Sequence, residues 1–199
     1  MPKIVNHEEK KEQIAAATWR VILRDGMKGA TVRGIAKETG ISLGALRHYF
    51  STQDELLAYA MQLVRERTQA RIDAIARSDL PARDKVLRIL FEIVPLNRDT
   101  RAEMEVWLAY AFSLGPKADT LGVQQEIYSG MRTIVEFLDH YRLLRDGLDK
   151  EMTIETLYSL VDGVAMHAFL EPSRLTKERI AAVLTHYLDS ICIEEGRKE

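Results

Sequence analysis

The chain has 199 residues, 46% of them hydrophobic and 29% charged, which is enough apolar side chain for a sizeable core in one or two domains. Its longest uninterrupted apolar runs are a few residues, far short of the roughly 20 that a membrane-spanning helix needs. The start is polar rather than secretory in pattern, and the single cysteine, Cys192, excludes a disulfide within one chain. We therefore expect a cytoplasmic protein without a membrane partner.

The net charge of −2 is unevenly distributed along the chain. Residues 1–50 carry nine Lys and Arg against five Asp and Glu, a net charge of +4, which leaves −6 for residues 51–199. Because nucleic acids attract positive charge, any such partner is expected at the N-terminal end.

Hydrophobic periodicity predicts helices along the chain and no strand, so the expected fold class is all-α. A first helix over 8–25 precedes a segment with helical spacing from Thr31 to Thr39. Gly40 then suits a turn at positive φ, and Ser42 suits the N-cap of a further helix that reaches Phe50. The predicted unit is a helix-turn-helix braced by the first helix.

The second helix of this motif has two different faces. Leu43, Leu46 and Phe50 share one face, which is expected to pack inward. The opposite side presents small residues first and then polar ones, with Arg47 at its flank. A short helix of this kind suits insertion into a DNA major groove, where glycine permits close approach to phosphate and longer polar groups reach base edges.

The rest of the chain is predicted to form six more helices. A capping box at Thr52 and Glu55 opens a long one that would join the N-terminal domain to the body as a lever, and Thr100 and Glu103 match another capping box. The predicted ranges are 53–78, 81–95, 100–115, 123–141, 153–170 and 176–193. We therefore expect a DNA-binding domain over residues 1–51 and a larger helical domain over residues 52–199.

The motif resembles the N-terminal DNA-binding domain of the tetracycline-repressor (TetR) family. The resemblance lies in Thr31, Gly40, Ser42, Gly44, Leu46, His48, Tyr49 and Phe50, followed by the run Asp54, Glu55, Leu56 and Leu57. Arg47 stands where the family often has Tyr, and Gln53 stands where it usually has Lys. Segments 93–111 and 159–180 resemble the C-terminal regulatory domain of the subgroup named for the choline-responsive repressor of betaine synthesis.

The resemblance implies a repressor that binds a palindromic double-stranded DNA operator as a homodimer and is released by a small-molecule effector. Motif and resemblance together predict a set of DNA contacts near the two short helices. These are Thr31, Arg33, Ser42, Leu43, Gly44, Ala45, Arg47, His48, Tyr49 and Gln53.

The last two predicted helices are candidates for the subunit interface. Residues 153–170 are apolar on nearly every side, which requires burial on all sides, and the helix after them carries a broad apolar stripe. Paired with their copies across a two-fold axis, they would form a four-helix bundle. The predicted interface residues are Leu157, Val161, Val164, Ala168, Ile180, Val183, Leu184, Tyr187, Leu188 and Ile191.

An effector cavity is expected among aromatic, methionine and polar residues of the larger domain, although such residues also serve as ordinary core. Glu103, one turn before Trp107, would help the nearby rings hold a cation. The candidate set is Glu103, Trp107, Tyr110, Tyr128, Met131, Met166 and His167.

Two alternatives remain: an all-helical enzyme, and a DNA-binding module without an effector. Residues 40–44 match the G-x-S-x-G nucleophile elbow of hydrolases, but that elbow follows a strand and here a helical pattern precedes it. The sequence shows no metal-ligand spacing and no convergent catalytic set, so no catalytic residue, metal or cofactor is predicted.

Overall fold

The computed structural model describes residues 7–113 and 120–193, and every regular element in these ranges is an α-helix. The all-α fold class is therefore confirmed. No described helix is long and apolar enough to cross a membrane. The helices are α1 (His7–Gly29), α2 (Val32–Thr39), α3 (Leu43–Arg47), α4 (Gln53–Ala76), α5 (Ala82–Glu92), α6 (Arg98–Ser113), α7 (Thr120–His140), α8 (Lys150–Leu170) and α9 (Lys177–Ile191).

The chain forms two compact units, which divide it within α4 and within α6. The first unit comprises Met1–Arg67 and Ala102–Gly115, and the second comprises Thr68–Arg101 and Pro116–Glu199. The first unit therefore extends beyond residue 51, the boundary expected from the sequence, and includes most of α6.

The first unit is organised around an apolar cluster beneath the helix-turn-helix. Helix α4 contributes Leu56 to this cluster and packs Tyr59 against it, with the rings of Phe50 and Tyr59 4.8 Å apart. Burial raises the pKa of Tyr59 to about 12, and its hydroxyl donates to the Lys11 carbonyl at 3.3 Å. The buried members are Ile14, Ile35, Ala36, Leu46, Phe50 and Leu56.

The turn between α2 and α3 follows the sequence prediction closely. Gly40 adopts φ 69° and ψ 11°, the left-handed conformation that glycine enters at least cost. Ser42 caps α3 by accepting a hydrogen bond from the backbone N–H of Ala45 at 3.1 Å. Since α2 precedes this turn, the strand that a nucleophile elbow requires is not present before Ser42.

The second unit is a helical bundle in which α7 packs against α8 and α5, and α9 packs against α5 and α8. Its core excludes solvent from the large aliphatic side chains at these contacts. The fully buried ones are Leu90, Leu138, Ile154, Leu157, Ile180, Leu184 and Leu188.

The starts of α6 and α8 differ from their predictions because polar caps outside the apolar pattern set them. Helix α6 begins before Thr100, since the Asn97 side chain accepts from the backbone N–H of Asp99 at 2.8 Å and of Thr100 at 3.0 Å. Asp149 likewise caps α8 three residues earlier than expected. Helix α3 ends at Arg47 rather than Phe50.

Candidate functional site

The candidate DNA-binding surface is formed by the exposed side of α2 and α3. Leu46 and Phe50 are buried, whereas Arg33, Arg47 and His48 are exposed. The two-faced character predicted for this helix is therefore present, with the basic side chains directed away from the core.

Two groups of basic residues in the first unit differ in their ion pairs. On α1, Arg20 and Arg24 both reach the Glu38 carboxylate, at 2.9 and 2.8 Å, and Arg24 also pairs with Asp25. These hydrogen bonds hold the pKa of Glu38 below its usual range. Arg33, Arg47 and His48, by contrast, form no ion pair with any residue in the described ranges. Basic side chains without an ion pair within the described ranges thus lie on the helix-turn-helix surface.

Two hydroxyl groups of the predicted set have structural roles that still leave them able to bind phosphate. Thr31 accepts from the Gly34 N–H at 3.0 Å and Ser42 accepts from the Ala45 N–H. Because each hydroxyl accepts through oxygen, its hydrogen remains available to a phosphate. Gly44 is exposed, and beyond the backbone of its own helix no atom lies within 4 Å of the position that a Cβ would occupy. It thus leaves the backbone open to close approach.

Other predicted contacts are less available than the sequence suggested. Leu43 and Tyr49 are partly buried and pack against the apolar cluster, and Ala45 is partly buried as well. The Gln53 side chain donates its Nε2 hydrogen to the Ala30 carbonyl at 2.9 Å, which ties the start of α4 to the connection between α1 and α2. Gln53 is therefore already bound to its own protein through one of its two amide hydrogens.

The predicted effector residues divide between the two units. Glu103 and Met131 are buried, and the aromatic members and Met166 are partly buried. Glu103, Trp107 and Tyr110 belong to the first unit, and Tyr128, Met131, Met166 and His167 belong to the second.

His167, one of the predicted effector residues, lies on the surface of the second unit. Its side chain is 56% exposed, and Nδ1 accepts a hydrogen bond from Arg174 at 2.6 Å. Arg174 in turn pairs with Glu171 at 2.6 Å. The imidazole thus lies on the polar side of the last turn of α8, so it does not line an enclosed cavity within one chain.

The second unit contains two residues that the predicted effector set missed: Tyr158, which lies beside Tyr128, and Asp162, which lies beside Tyr158. The Tyr128 and Tyr158 rings meet edge to face, with centroids 5.5 Å apart. Tyr158 is hydrogen-bonded to Asp162, whose pKa is nevertheless raised because partial burial disfavours the carboxylate. The sequence signal for Asp162 was a carboxyl group in the middle of an apolar helix. Burying an ionised carboxyl is costly, so a residue of this kind is a candidate for a functional site.

A neighbouring arginine does not neutralise Asp162. Arg132 lies near the Tyr128 ring, 5.8 Å from its centroid, and its guanidinium binds Glu151 through two hydrogen bonds of 2.7 Å. No basic group within the described part of the chain contributes to the pKa of Asp162. Two aromatic rings and an unbalanced carboxyl are the groups that proteins use to bind organic cations.

The predicted subunit interface needs correction. Apart from the partly buried Val183 and Tyr187, the predicted side chains are buried within a single chain, because α9 and α8 already pack on each other and α9 also packs on α5. Tyr187 also donates its hydroxyl to the Thr153 carbonyl at 3.0 Å. Side chains buried in this way cannot supply the contact surface for a second copy. The predicted interface residues to which this correction applies are Leu157, Val161, Val164, Ala168, Ile180, Leu184, Leu188 and Ile191.

A different face of α8 remains uncovered and carries no charge. Its residues recur at alternating intervals of four and three, the spacing of a helix–helix seam. Met152 and Leu170 are 63% and 65% exposed, and Gly163 leaves open space around its Cα. We call this set the α8 seam: Met152, Thr156, Ser159, Gly163, Met166 and Leu170.

An open groove of about 720 Å³ lies along the exposed side of α9, with Ala182, Val183 and His186 in its lining. None of the predicted effector residues lines it. Within the described ranges there is also no cluster of three or more His, Cys, Asp or Glu side chains that could hold a metal ion.

Comparison with known proteins identifies both parts of the chain. Residues 14–60 match the family model of bacterial regulatory proteins of the tetR family, and residues 82–193 match that of the C-terminal domain of BetI-type transcriptional repressors. The HTH-type transcriptional regulator PksA of Bacillus subtilis is 52% identical over 199 residues, covering 100% of this chain and 97% of that protein. The regulator BetI of Vibrio campbellii is 30% identical over 192 residues, covering 95% of each.

A solved structure shares the fold at lower sequence identity. It is a putative transcriptional regulator from Saccharomonospora viridis in complex with choline. That chain is 20% identical, with a TM-score of 0.74, and the match covers 94% of this chain and 100% of that one.

Proposed function

Because this chain belongs to the TetR family of helix-turn-helix transcriptional regulators, we propose that it represses transcription as a homodimer on a palindromic operator and that a small organic cation releases it. The proposal rests on the basic side chains, unpaired within the described ranges, that the surface of α2 and α3 exposes. Its exposed Arg33, Arg47 and His48 lack acidic partners within the described ranges, whereas the arginines of α1 are neutralised.

On this surface, α3 enters the major groove with Gly44 against the backbone and with Arg47 and His48 toward base edges or phosphate. Thr31 and Ser42, at the first turns of α2 and α3, donate their hydroxyl hydrogens to phosphates, and the positive ends of the helices favour the same anions. Arg33 adds a charged contact from α2. Gln53 has one amide hydrogen left for phosphate and serves chiefly to fix α4 against Ala30.

Binding to a palindrome requires two such surfaces, one from each subunit of a dimer. The α8 seam supports the proposed dimer. Its small residues, Ser159 and Gly163, would let a second α8 approach closely, while Met152 and Leu170 would become buried. The groove beside α9 would accept side chains of the partner. The dimer must then hold its two α3 helices about 34 to 36 Å apart to enter successive major grooves on one side of B-DNA.

The proposed effector site consists of Tyr128, Tyr158 and Asp162. A bound cation would place its charge near the Asp162 carboxylate and its alkyl groups against the tyrosine rings, which repays the cost of burying that carboxylate. The complex of the Saccharomonospora viridis protein with choline supports this class of ligand. A cation that binds the released arrangement better than the DNA-bound one by a few kcal/mol suffices to empty the operator.

The proposal is tested by selecting bound duplexes from a random pool with the full-length chain at fixed salt, and then adding choline to the selected complex. We expect enrichment of a palindrome whose half-sites lie about one helical turn apart, and lower occupancy in the presence of choline. If no sequence is enriched over the starting pool, the DNA-binding proposal is contradicted. If a palindrome is enriched but choline leaves its occupancy unchanged, the cation proposal alone is contradicted.

A further inference from the structure

We propose that Glu105 is a positioning residue for DNA binding, which holds the segment in front of α2 through the backbone of Gly26 and Met27. The inference rests on the DNA-binding function proposed above. It concerns a residue of α6 that lies outside the predicted DNA and effector sets.

The contact depends on a break in α1. Gly26 has φ 67° and ψ −174°, a conformation that interrupts the helix and that side-chain-bearing residues rarely adopt. Immediately after the break, the backbone N–H of Met27 donates to Glu105 Oε1 at 2.9 Å. A carboxylate acceptor makes this hydrogen bond stronger than one between neutral groups.

Only glycine admits this arrangement. A Cβ on residue 26 would lie 2.6 Å from Glu105 Oε1 and 3.2 Å from Oε2, well inside van der Waals contact. The carboxylate is therefore seated directly against the Gly26 backbone. The positive φ and the close approach both require glycine, so residues 26 and 105 form one local arrangement.

The short segment from Met27 to Ala30 is held at both ends. At its start Glu105 accepts from the Met27 N–H, and at its end Gln53 donates to the Ala30 carbonyl at 2.9 Å. Thr31, the N-cap of α2, follows at once. Gly34 of α2 also packs tightly on this segment, because a Cβ there would lie 2.6 Å from the Gly29 carbonyl oxygen.

Moving this segment would therefore move the first turn of α2, which carries Thr31 and Arg33. A displacement of about 1 Å is enough to lose well-aligned hydrogen bonds to phosphate, since their donor–acceptor distances vary over only a few tenths of an ångström. Glu105 thus fixes the geometry of DNA contacts without touching DNA.

The test compares Glu105→Ala, Glu105→Gln and Glu12→Ala in the full-length chain, using the duplex selected by the wild type and a scrambled duplex. Removal of any carboxylate reduces repulsion of phosphate and by itself strengthens DNA binding. Glu12 is an exposed glutamate of the same unit and measures that effect. Fluorescence anisotropy at fixed salt supplies the affinities.

We expect Glu105→Ala to weaken binding of the selected duplex by roughly tenfold, the lower end of the contribution of a hydrogen bond to a charged group. Binding of the scrambled duplex should change no more than in Glu12→Ala. Glu105→Gln retains an oxygen acceptor and should restore most of the specific affinity. For each variant, the affinity for the selected duplex is divided by the affinity for the scrambled duplex. If this ratio is the same in Glu105→Ala and Glu12→Ala, the proposal is overturned.

Hydrogen exchange of the Met27 amide provides a measurement independent of DNA. The amide should exchange at least tenfold faster in Glu105→Ala than in the wild type, and nearly as slowly as the wild type in Glu105→Gln. Should Glu105→Ala fail to fold, Glu105→Gln is compared with the wild type instead, and a large loss of specific affinity or of Met27 amide protection with the acceptor retained contradicts the proposed contact. If the wild type itself selects no duplex, the DNA-binding function fails instead.

Discussion

At the scale of single residues, Arg47 and His48 are the side chains on which specific DNA recognition should depend most. Both are exposed without acidic partners in the described ranges, and a good base contact contributes about 1–3 kcal/mol. We therefore expect Arg47→Ala combined with His48→Ala to reduce affinity for the selected duplex by at least about 100-fold. Gel-shift titration measures the loss, and size-exclusion chromatography should show an unchanged oligomer.

The control for this pair is Arg88→Ala combined with His140→Ala, which removes the same two residue types from exposed positions in the second unit. Its affinity for the selected duplex should stay within about twofold of the wild type, allowing for one lost charge. Equal affinities of the two double variants would show that α3 does not read the operator.

Asp162 should make cation binding depend on pH. Burial raises its pKa, and only the ionised carboxyl attracts a cation, so affinity should fall as the pH is lowered through that raised pKa. The decline should begin above the pH at which an ordinary aspartate titrates, around 4. Calorimetric titration with choline over a pH series measures it. Asp162→Asn should bind weakly at every pH, and 3,3-dimethylbutan-1-ol, the neutral analogue of choline, should bind independently of pH.

At the scale of elements, two glycines of the helix-turn-helix should respond in opposite ways to alanine. Gly40 has a positive φ, so Gly40→Ala should destabilise the protein by about 1 kcal/mol. Gly44 lies in α3 with open space around it, so Gly44→Ala should stabilise the protein by about 0.5 kcal/mol through helix propensity. Thermal melting followed by circular dichroism separates the two signs.

Gly44→Ala should nevertheless weaken DNA binding, because the added methyl group lies where the backbone approaches phosphate. A variant with a higher melting temperature and lower operator affinity is the expected combination. If Gly44→Ala binds the selected duplex as tightly as the wild type, Gly44 is not at the DNA backbone and the proposed orientation of α3 is incorrect.

The elements also show why some features were predictable from sequence and others were not. Gly40 and Ser42 act through neighbours two to four residues away, so local pattern was sufficient to place the turn. The cap of α6 by Asn97 was missed because it precedes the apolar repeat. Gln53 and the buried stripe of α9 were misjudged because their partners lie far away in sequence, and periodicity does not identify which helix covers an apolar face.

At the scale of the whole molecule, the α8 seam should decide the oligomeric state. Its uncharged, closely spaced residues can bury part of the 1,200–2,000 Å² that stable interfaces require. The apolar stripe of α9, which was predicted from the sequence as part of the interface, is already buried within the chain. Gly163→Arg places a long charged side chain in the centre of the seam. We expect sedimentation analysis to find the wild type as a dimer and Gly163→Arg as a monomer at the same micromolar concentration.

Gly130→Arg supplies the matched control, because Gly130 is also a helical glycine with open space around it but lies on α7. It should remain dimeric. Gly163→Arg should still bind one half-site weakly. Its affinity for the full palindrome should fall by about 10²- to 10⁴-fold, because a monomer has no linked second subunit to bind the other half-site. A fully dimeric Gly163→Arg would place the interface elsewhere, and the spacing of the two α3 helices would then have to be set by another surface.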